Sequence, residues 1–203
     1  FQDKIWYLWS YYKVYLALFL AAVVILSVAA NAVYRTTFTT RLGIALVNNH
    51  SQNLQTPDLL EEQLRQILGC GKKDLVEVNS GLYLGERAAG EDSYLAQTKL
   101  AALIASDALD ILIADQAAIE LYSSADALCD LSSLLPQELS SLPPDAFCLS
   151  NDSSGAEHPF SLSVEGTWLT EKGYISSDAA YLAVISTSPR KEAAVQVIRS
   201  LFS

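Results

Sequence analysis

The sequence predicts an α/β protein with an N-terminal transmembrane helix followed by one mainly parallel sheet that is covered by helices. Two observations predict this fold class. A run of 20 residues from Val14 to Val33 is apolar except for Ser27 and Asn31 in its second half. The rest of the chain alternates short β-type runs with helical patterns, which is typical of a parallel sheet with helices on its faces.

The apolar run has the length that a bilayer requires. At about 1.5 Å per residue, a helix of this length covers about 30 Å, which is the thickness of the hydrocarbon core. No Asp, Glu, Lys or Arg lies between Lys13 and Arg35. We therefore expect a short cytoplasmic or interfacial segment over 1–13 and a transmembrane helix over 14–34. Aromatic side chains that prefer the headgroup level precede the helix and are its expected anchors: Trp6, Trp9 and Tyr12.

A cleaved signal peptide is the alternative to a retained anchor. The sequence Ala30-Asn31-Ala32 fits the small-x-small pattern that signal peptidase recognises. However, the apolar run exceeds the usual signal-peptide core of about 7–15 residues, and the aromatic belt suits an anchor. The flanking positive charges are nearly balanced, so orientation follows from size. The N-terminal segment is too short to form a domain, and we expect it in the cytoplasm, with the C-terminal domain outside the cell membrane.

Small and polar residues share faces of this helix. Ala17 and Ala21 are four residues apart, as are Ser27 and Asn31, so each pair lies on one face. Membrane helices associate through such residues. The four residues therefore form a predicted contact face for an integral membrane protein. The alternative interpretation, which is equally open, is that Asn31 lies at the outer membrane–water interface and contacts no partner helix.

The part of the chain after the helix is acidic. Without Lys4, Lys13, Arg35 and Asp3, the chain keeps 10 basic and 22 acidic residues, a net charge of −12 for residues 36–203. Phosphates and anionic headgroups repel such a domain. The charge therefore argues against nucleic acid as a partner and leaves the bilayer as the partner of the helix. Solubility is the simplest role of the acidic surface.

Cysteine and histidine are scarce. There are 3 cysteines, Cys70, Cys129 and Cys148, so they cannot all pair within one chain. Cys129 and Cys148 form a disulfide if their segments are neighbours, and a reduced set is equally open. With 2 histidines and no Cys-x-x-Cys spacing, the sequence indicates no metal site and no cofactor.

The outer domain, which we place at 41–203 after a linker over 35–40, begins with a strand. This strand, "RLGIALVN", covers 41–48. The helix that follows shows its own boundary, because Thr56 is a natural N-cap and Pro57 takes the first helical position. Gly69 or Gly71 ends it.

A strand or a pair of short strands over 74–85 comes next, and then a helix over 91–108. The predicted apolar face of this helix consists of Leu95, Leu100, Leu103 and Ile104. The strand over 109–115, "LDILIAD", is nearly all apolar, as strands that are covered on both faces tend to be. A helix over 116–128 follows it directly.

The C-terminal third continues the alternation. The polar segment over 151–160 is predicted as a flexible loop, and strands follow over 159–169 and 181–187. The closing helix begins with Ser188 as its N-cap and Pro189 at the first position. Its predicted inward face consists of Ala194, Val197, Ile198 and Leu201.

Two segments resemble a known family. The segment "DILIADQAAIELYSSADALCDLSSLLP" resembles part of the extracellular solute-binding proteins of bacterial ABC transporters, where a buried strand is followed by a helix and a "DLS-LLP" element. The segment "YLAVISTSPRKEAAVQVIRSLF" looks like the closing strand and helix of the same family. Together they cover under a third of the chain and carry no catalytic or ligand signature. The resemblance implies a fold like one lobe of a periplasmic-binding protein.

The chain departs from that family in size and in its anchor. Solute-binding proteins close two lobes over a ligand, which requires roughly 250 residues or more. Residues 36–203 suffice for one lobe, and no cysteine for lipid attachment lies near Val33. The resemblance therefore implies a single-lobe, membrane-anchored relative, of the kind expected in Gram-positive bacteria.

Candidate site residues follow from the predicted sheet. Open α/β sheets bind ligands at the carboxyl ends of their strands, so the predicted ligand-binding residues are Ser80, Asp115, Gln116 and Trp168. Trp168 is alternatively a packing residue. Asp107, Asp110 and Asp115 bracket the central strand, but no base or nucleophile accompanies them there, so no catalytic residue is predicted.

Two functions are consistent with these expectations, and neither is enzymatic. In the first, the chain is an accessory subunit of a membrane transport complex of the ABC type, with a transporter subunit as its partner. In the second, it is an independent, membrane-tethered module that binds or senses a ligand or peptide.

Overall fold

The computed structural model describes residues 15, 17–29, 37–51, 56–85, 90–135, 146–176 and 180–202. The chain divides into two compact units, Phe1–Thr39 and Thr40–Ser203. Four residues with predicted roles lie outside the described residues: Trp6, Trp9, Tyr12 and Asn31.

The first unit contains helix α1, which covers residues 17–29. Every side chain of this helix is exposed, and its large apolar side chains, from Leu18 to Val28, are between 42% and 69% exposed. The hydroxyl of Ser27 donates a hydrogen bond to the carbonyl oxygen of Val23 at 2.8 Å. Among the residues that the structure describes, no helix has the length and apolar content needed to cross a bilayer.

The second unit contains one six-stranded sheet with the order β2-β1-β3-β6-β5-β4. Its strands are β1 (Thr39–Val47), β2 (Asp74–Leu82), β3 (Ile111–Ala114), β4 (Phe147–Asn151), β5 (Glu157–Ser163) and β6 (Tyr181–Val184). Its helices are α2 (Thr56–Ile67), α3 (Gly90–Ala105), α4 (Gln116–Ser124), α5 (Leu131–Leu134), α6 (Trp168–Glu171) and α7 (Lys191–Leu201). The predicted α/β class is confirmed.

The sheet is mixed, so the prediction of a mainly parallel sheet is wrong. Strands β1 and β3 run parallel, with Ile44 opposite Ile111. Strand β2 runs the same way as β1, because Arg41 is paired with Asp74 where both strands begin and the Asn48 amide bonds to Leu82 where both end. The pairs β3–β6, β6–β5 and β5–β4 are all antiparallel.

A hairpin that the sequence did not indicate accounts for part of this difference. The segment predicted as a flexible loop over 151–160 is instead the end of β4, a tight turn and the start of β5. The Asp152 carboxylate accepts hydrogen bonds from the amides of Ser154 and Ala156, both at 2.8 Å. Hydrogen bonds from the Ser154 hydroxyl and then from the Ala156 amide hold the pKa of Asp152 below its ordinary value. So short a turn permits only antiparallel strands.

Alternating side chains divide the core into two layers. In β3, Ile111 and Ile113 belong to the cluster that also contains the buried residues of α2, α5, α6 and α7. Leu112 and Ala114 belong to the cluster that contains the buried residues of α3 and α4. Because successive strand residues point to opposite faces, the domain is a three-layer sandwich with helices on both faces of the sheet.

Two helices differ in detail from their predictions. In α3, Leu100 is buried as expected, but Leu95 is 63% exposed and Ala96 takes the inward position. Helix α7 begins at Lys191 rather than next to Ser188, and its predicted apolar face is buried. The Ser188 hydroxyl donates to the carboxylate of Asp110 at 2.6 Å and accepts from the Arg190 amide at 3.1 Å, so it bonds one residue short of the helix, whose N-cap is Arg190.

Asp110 joins three parts of the domain through one buried carboxylate. This carboxylate is fully buried and accepts hydrogen bonds from the Gly43 amide at 2.7 Å, the Ser188 hydroxyl at 2.6 Å and Arg190 Nε at 2.8 Å. Gly43 lies in β1, while Ser188 and Arg190 lie just before α7. A Cβ at position 43 would lie 1.9 Å from the carbonyl oxygen of Ala108, so only glycine permits this approach.

We expect Asp110→Asn to lower the free energy of unfolding by about 3 kcal/mol. The side-chain nitrogen of the new asparagine would face one of the three donors that now bond to the carboxylate, and Arg190 would lose its ion-pair partner. Urea denaturation followed by circular dichroism measures this change. Asp107→Asn is the matched control, since Asp107 is exposed and asparagine tolerates its φ of 54°. Equal stability of the two variants would contradict the role given to Asp110.

Candidate functional site

Two depressions lie on the side of the sheet that α3 and α4 cover. The first, which we call the α4 cleft, has a volume of about 230 Å³ and is lined by Gln116, Ile119, Cys148, Leu149, Ser150, Ser161 and Tyr181. The second, the β2 groove, has a volume of about 410 Å³, is more open, and is lined by Ser80, Gly81, Leu82, Tyr83, Asp92, Leu95, Ala96 and Lys99. Each contains one of the predicted ligand-binding residues.

The α4 cleft is built by strand register and by the start of a helix. Helix α4 begins directly after β3, which places Gln116 in its first turn. Cys148 in β4 lies opposite Ser161 in β5, and Ser161 lies opposite Ala183 in β6. The register shifts after Cys148, because Leu149 pairs with Pro159 and leaves Phe160 as an extra residue. Bulges of this kind re-aim side chains next to sites.

Ser161 is the most informative residue of the cleft. Its side chain is fully buried, and among the described residues its hydroxyl is the buried side-chain group that lacks a hydrogen-bond partner. The Cys148 thiol lies near enough for the Ser161 hydroxyl to lower its pKa as a hydrogen-bond donor does, but the pair falls outside full hydrogen-bonding geometry. A buried hydroxyl without a partner costs about 1–3 kcal/mol. A ligand that displaces a lining side chain and brings a polar atom to this hydroxyl would remove that cost.

The cleft is lined by uncharged groups. Burial raises the pKa of the Cys148 thiol, and the nearby Ser161 hydroxyl opposes that rise only in part. Burial first, and then repulsion from the Cys148 thiolate (which forms only at alkaline pH) and from Glu165, raise the pKa of Tyr181. Both groups therefore carry their protons at neutral pH. The cleft presents hydroxyl, thiol and amide groups with no formal charge, next to the apolar side chains of Ile119 and Leu149.

Gln116 is held at the rim by its own helix. Its Nε2 donates to Glu120 Oε1 at 2.8 Å. This contact holds the amide in the first turn of α4, where the side chain remains exposed at the cleft rim.

Asp115 is occupied by structural contacts at the carboxyl end of β3. One oxygen caps α4 by accepting from the Ala118 amide at 3.0 Å, and the other accepts from Asn48 Nδ2 at 2.8 Å. Asn48 in turn accepts from the Leu84 amide at 2.8 Å, so the ends of three strands are joined here. The structure gives Asp115 these partners rather than a place in the lining of either depression.

Trp168 lies on the opposite face of the sheet from Ser80 and Gln116. Its ring packs against the α2–α7 cluster, and its indole N–H donates to the carbonyl oxygen of Ser200 at 3.0 Å. Tyr174 meets the ring edge-on, with 6.2 Å between ring centroids. These contacts are those of a packing residue, so the structure does not bring the four predicted ligand-binding residues together.

The remaining candidate chemistry is accounted for by structural contacts. The carboxylate of Asp110 is filled by its three donors, and no group of three His, Cys, Asp or Glu side chains in the described ranges could hold a metal ion. Cys70, Cys129 and Cys148 are all free thiols, so the predicted option of a disulfide between Cys129 and Cys148 is not realised in this structure.

Sequence reasoning missed Cys148, Ser161 and Tyr181. A polar residue within an apolar strand was the available signal, since Ser161 stands between Phe160 and Leu162. What the sequence did not show was the strand register, which places Ser161 opposite Cys148 and Ala183, 13 and 22 positions away along the chain.

Comparisons with known proteins give one distant likeness. No family model matches this chain, and neither does any curated protein. A solved structure, an extracellular solute-binding protein family 1 from Alicyclobacillus acidocaldarius subsp. acidocaldarius DSM 446, matches with a TM-score of 0.35 and 15% sequence identity. The match covers 62% of this chain and 28% of that chain. So distant a likeness carries no argument about function, which therefore depends on the geometry of the site.

We expect Ser161→Ala to raise the free energy of unfolding by about 1 kcal/mol, because it removes a buried hydroxyl that lacks a partner. Ser188→Ala is the matched control. Ser188 is also buried, but its hydroxyl donates to Asp110, so its loss should cost about 2 kcal/mol. Urea denaturation of both variants measures the sign of each change in the free energy of unfolding. If Ser161→Ala proved less stable than the unaltered chain, the hydroxyl would have a partner in solution.

Proposed function

We propose that the chain is a non-catalytic binding protein whose α4 cleft takes a small, uncharged ligand. The observation that carries this proposal is the fully buried Ser161 hydroxyl, which lines the cleft and lacks a partner among the described residues. At about 230 Å³, the cleft is below the range of about 300–1,000 Å³ of drug-sized sites, which favours a smaller ligand.

Binding explains the lining better than catalysis does. A nucleophile needs a lowered pKa or an adjacent base. The pKa of Cys148 is raised instead, and the described residues that line the cleft include no histidine, carboxylate or amine. Hydroxyl, thiol and amide groups hold and orient a ligand by hydrogen bonds without altering it.

The charge around the cleft favours an uncharged ligand over an anion. Glu120 contacts Gln116 at the rim, and the charge of Glu165 contributes to the raised pKa of Tyr181. The whole chain carries a net charge of −10. An anionic ligand would meet this field without a cationic side chain in the lining to offset it.

We also propose that a membrane helix over 14–34 tethers the domain, with the N-terminus in the cytoplasm and the domain outside the cell. Two observations support a tether. The sequence has no Asp, Glu, Lys or Arg between Lys13 and Arg35, and the described apolar side chains of α1 are exposed all around the helix. Exposure of this kind is costly in water and favourable in lipid.

An accessory role in a membrane transport complex is the finer proposal for this tether. Ala17 and Ala21 lie on one exposed face of α1, and small residues let a second helix approach closely. Ser27 bonds to its own helix backbone, so its hydroxyl proton is not available to a partner in this arrangement. An independent binding module would need the tether but not this face.

Ligand binding is testable through Cys148. In the variant Cys70→Ser/Cys129→Ser, Cys148 is the remaining thiol and reports on the cleft. We expect a panel of uncharged small molecules (polyols, monosaccharides and small amides) to contain compounds that slow its modification by N-ethylmaleimide. At ten times the Kd the slowing should be about tenfold, and anionic analogues should have no effect.

The control for this experiment compares two serines. Adding Ser161→Ala should abolish the protection. Adding Ser124→Ala should leave it unchanged, because Ser124 is an exposed residue of α4 that does not line the cleft. Protection by anionic compounds, or protection that survives Ser161→Ala, would contradict the proposed ligand class.

The tether and its partner are testable together. We expect the full chain to remain in membranes after extraction at alkaline pH, and Ala17→Leu/Ala21→Leu to remain there as well. In a gentle-detergent purification, however, the leucine variant should lose a partner that copurifies with the unaltered chain, because two bulky side chains block helix contact.

Phe19→Leu/Val23→Leu is the matched control, since it places leucines on the opposite side of α1. This variant should keep both the membrane association and the partner. Release of the unaltered chain at alkaline pH would argue against the tether. Equal copurification with both leucine variants would leave the tether in place and favour the independent module.

A further inference from the structure

His158 lies between two carboxylates that belong to different elements. It is a half-buried residue of β5, and its Nδ1 lies 3.3 Å from Asp130 Oδ2. Its Nε2 lies 3.6 Å from Asp152 Oδ2. Both ring nitrogens therefore face carboxylate oxygens.

This arrangement is favourable in only one protonation state. A neutral imidazole has one N–H donor, so its other nitrogen would direct a lone pair at a carboxylate oxygen. The protonated ring donates from both nitrogens and carries the positive charge that two carboxylates require. The two contacts are attractive together only when His158 is charged.

Both carboxylates are already fixed by other hydrogen bonds. The second oxygen of Asp130 caps α5 by accepting from the Ser132 amide at 2.8 Å. The second oxygen of Asp152 accepts from the amides of Ser154 and Ala156 and so organises the turn between β4 and β5. The histidine ring therefore connects the start of α5 to the tip of the hairpin.

That hairpin forms one wall of the α4 cleft. His158 pairs directly with Ser150, which lines the cleft. The pair Cys148 and Ser161 lies farther along the same two strands. If the contact between the hairpin and α5 weakens, the residues of the hairpin that line the cleft therefore become less firmly positioned.

In the described part of the chain, the ion pairs of Asp130 and Asp152 are those with His158. The sequence contains no Lys or Arg between Lys99 and Lys172. The neighbouring titratable groups are Asp126, which accepts from the Ser153 amide at the hairpin tip, and Glu157, which precedes the histidine in β5. All of them are acidic, so loss of the His158 charge leaves only mutual repulsion.

We infer that His158 is a positioning residue that, in its protonated form, holds the wall of the α4 cleft against α5. The role of this contact in ligand binding rests on the proposed function of the cleft, whereas the contact itself does not. The two contacts hold only while the ring is charged, so loss of that charge loosens the hairpin and leaves the cleft wall less ordered.

Hydrogen exchange of the full chain in detergent micelles tests this inference. We expect the protection factors of the peptides over 147–163, corrected for intrinsic exchange at each pH, to be about fivefold higher at pH 6 than at pH 8. His158→Asn should show equal protection at both pH values. The chain has 2 histidines, so His50→Asn is the matched control and should retain the difference.

A second readout connects the hairpin to the cleft. In Cys70→Ser/Cys129→Ser, the rate of Cys148 modification, divided by the rate for the urea-unfolded chain at the same pH, should rise between pH 6 and 8. Adding His158→Asn should remove that rise. The inference would be overturned if the pH dependence of the protection factors persisted in His158→Asn. It would also be overturned if the relative rate of Cys148 modification showed the same pH dependence with and without this substitution. Neither readout uses a ligand, so a failure here is distinguishable from a failure of ligand binding.

Discussion

The buried carboxylate of Asp110 is the interaction on which the domain depends. Its side chain binds the Gly43 amide and Arg190, and its backbone bonds to Gly43 and Ile185. These contacts set β3 in register with the parallel strand on one side and with the antiparallel strand on the other. A charge removed from water is tolerated only when its donors are all in place, so the arrangement admits little variation. Helix α4 begins at Gln116, five residues after the first residue of β3, so its position at the cleft follows from this register.

Local patterns in the sequence predicted the elements that local forces determine. The strand before Asn48, the helix that begins at Thr56 and the apolar face of α7 all follow from periodicity and turn residues. The hairpin of β4 and β5 was missed because its turn is polar and its strands are short, and a polar sequence with short apolar segments is also typical of a loop. Strand direction was missed for a deeper reason, since it depends on pairing between segments that are distant in sequence.

The candidate site shows the same division. The rule that ligands bind at strand ends selected Gln116, which does border the cleft, and Asp115, whose oxygens are taken by Ala118 and Asn48. Ser161 became visible only when the structure showed a buried hydroxyl without a partner among the described residues. Propensity and spacing do not encode that property, because it depends on what every neighbouring element leaves unsatisfied.

The two walls of the cleft are held by contacts of different physical character, and the proposed role of His158 depends on this difference. The α4 side is tied to the core through β3 and Asp110, whose ion pair is buried and therefore little screened by salt. The hairpin side is tied to α5 through Asp130, His158 and Asp152, whose side chains are partly exposed. Contacts of this second kind contribute little to global stability. Their free energy is nevertheless sufficient to shift a local equilibrium, because a hairpin at the edge of a sheet opens at a small fraction of the cost of global unfolding.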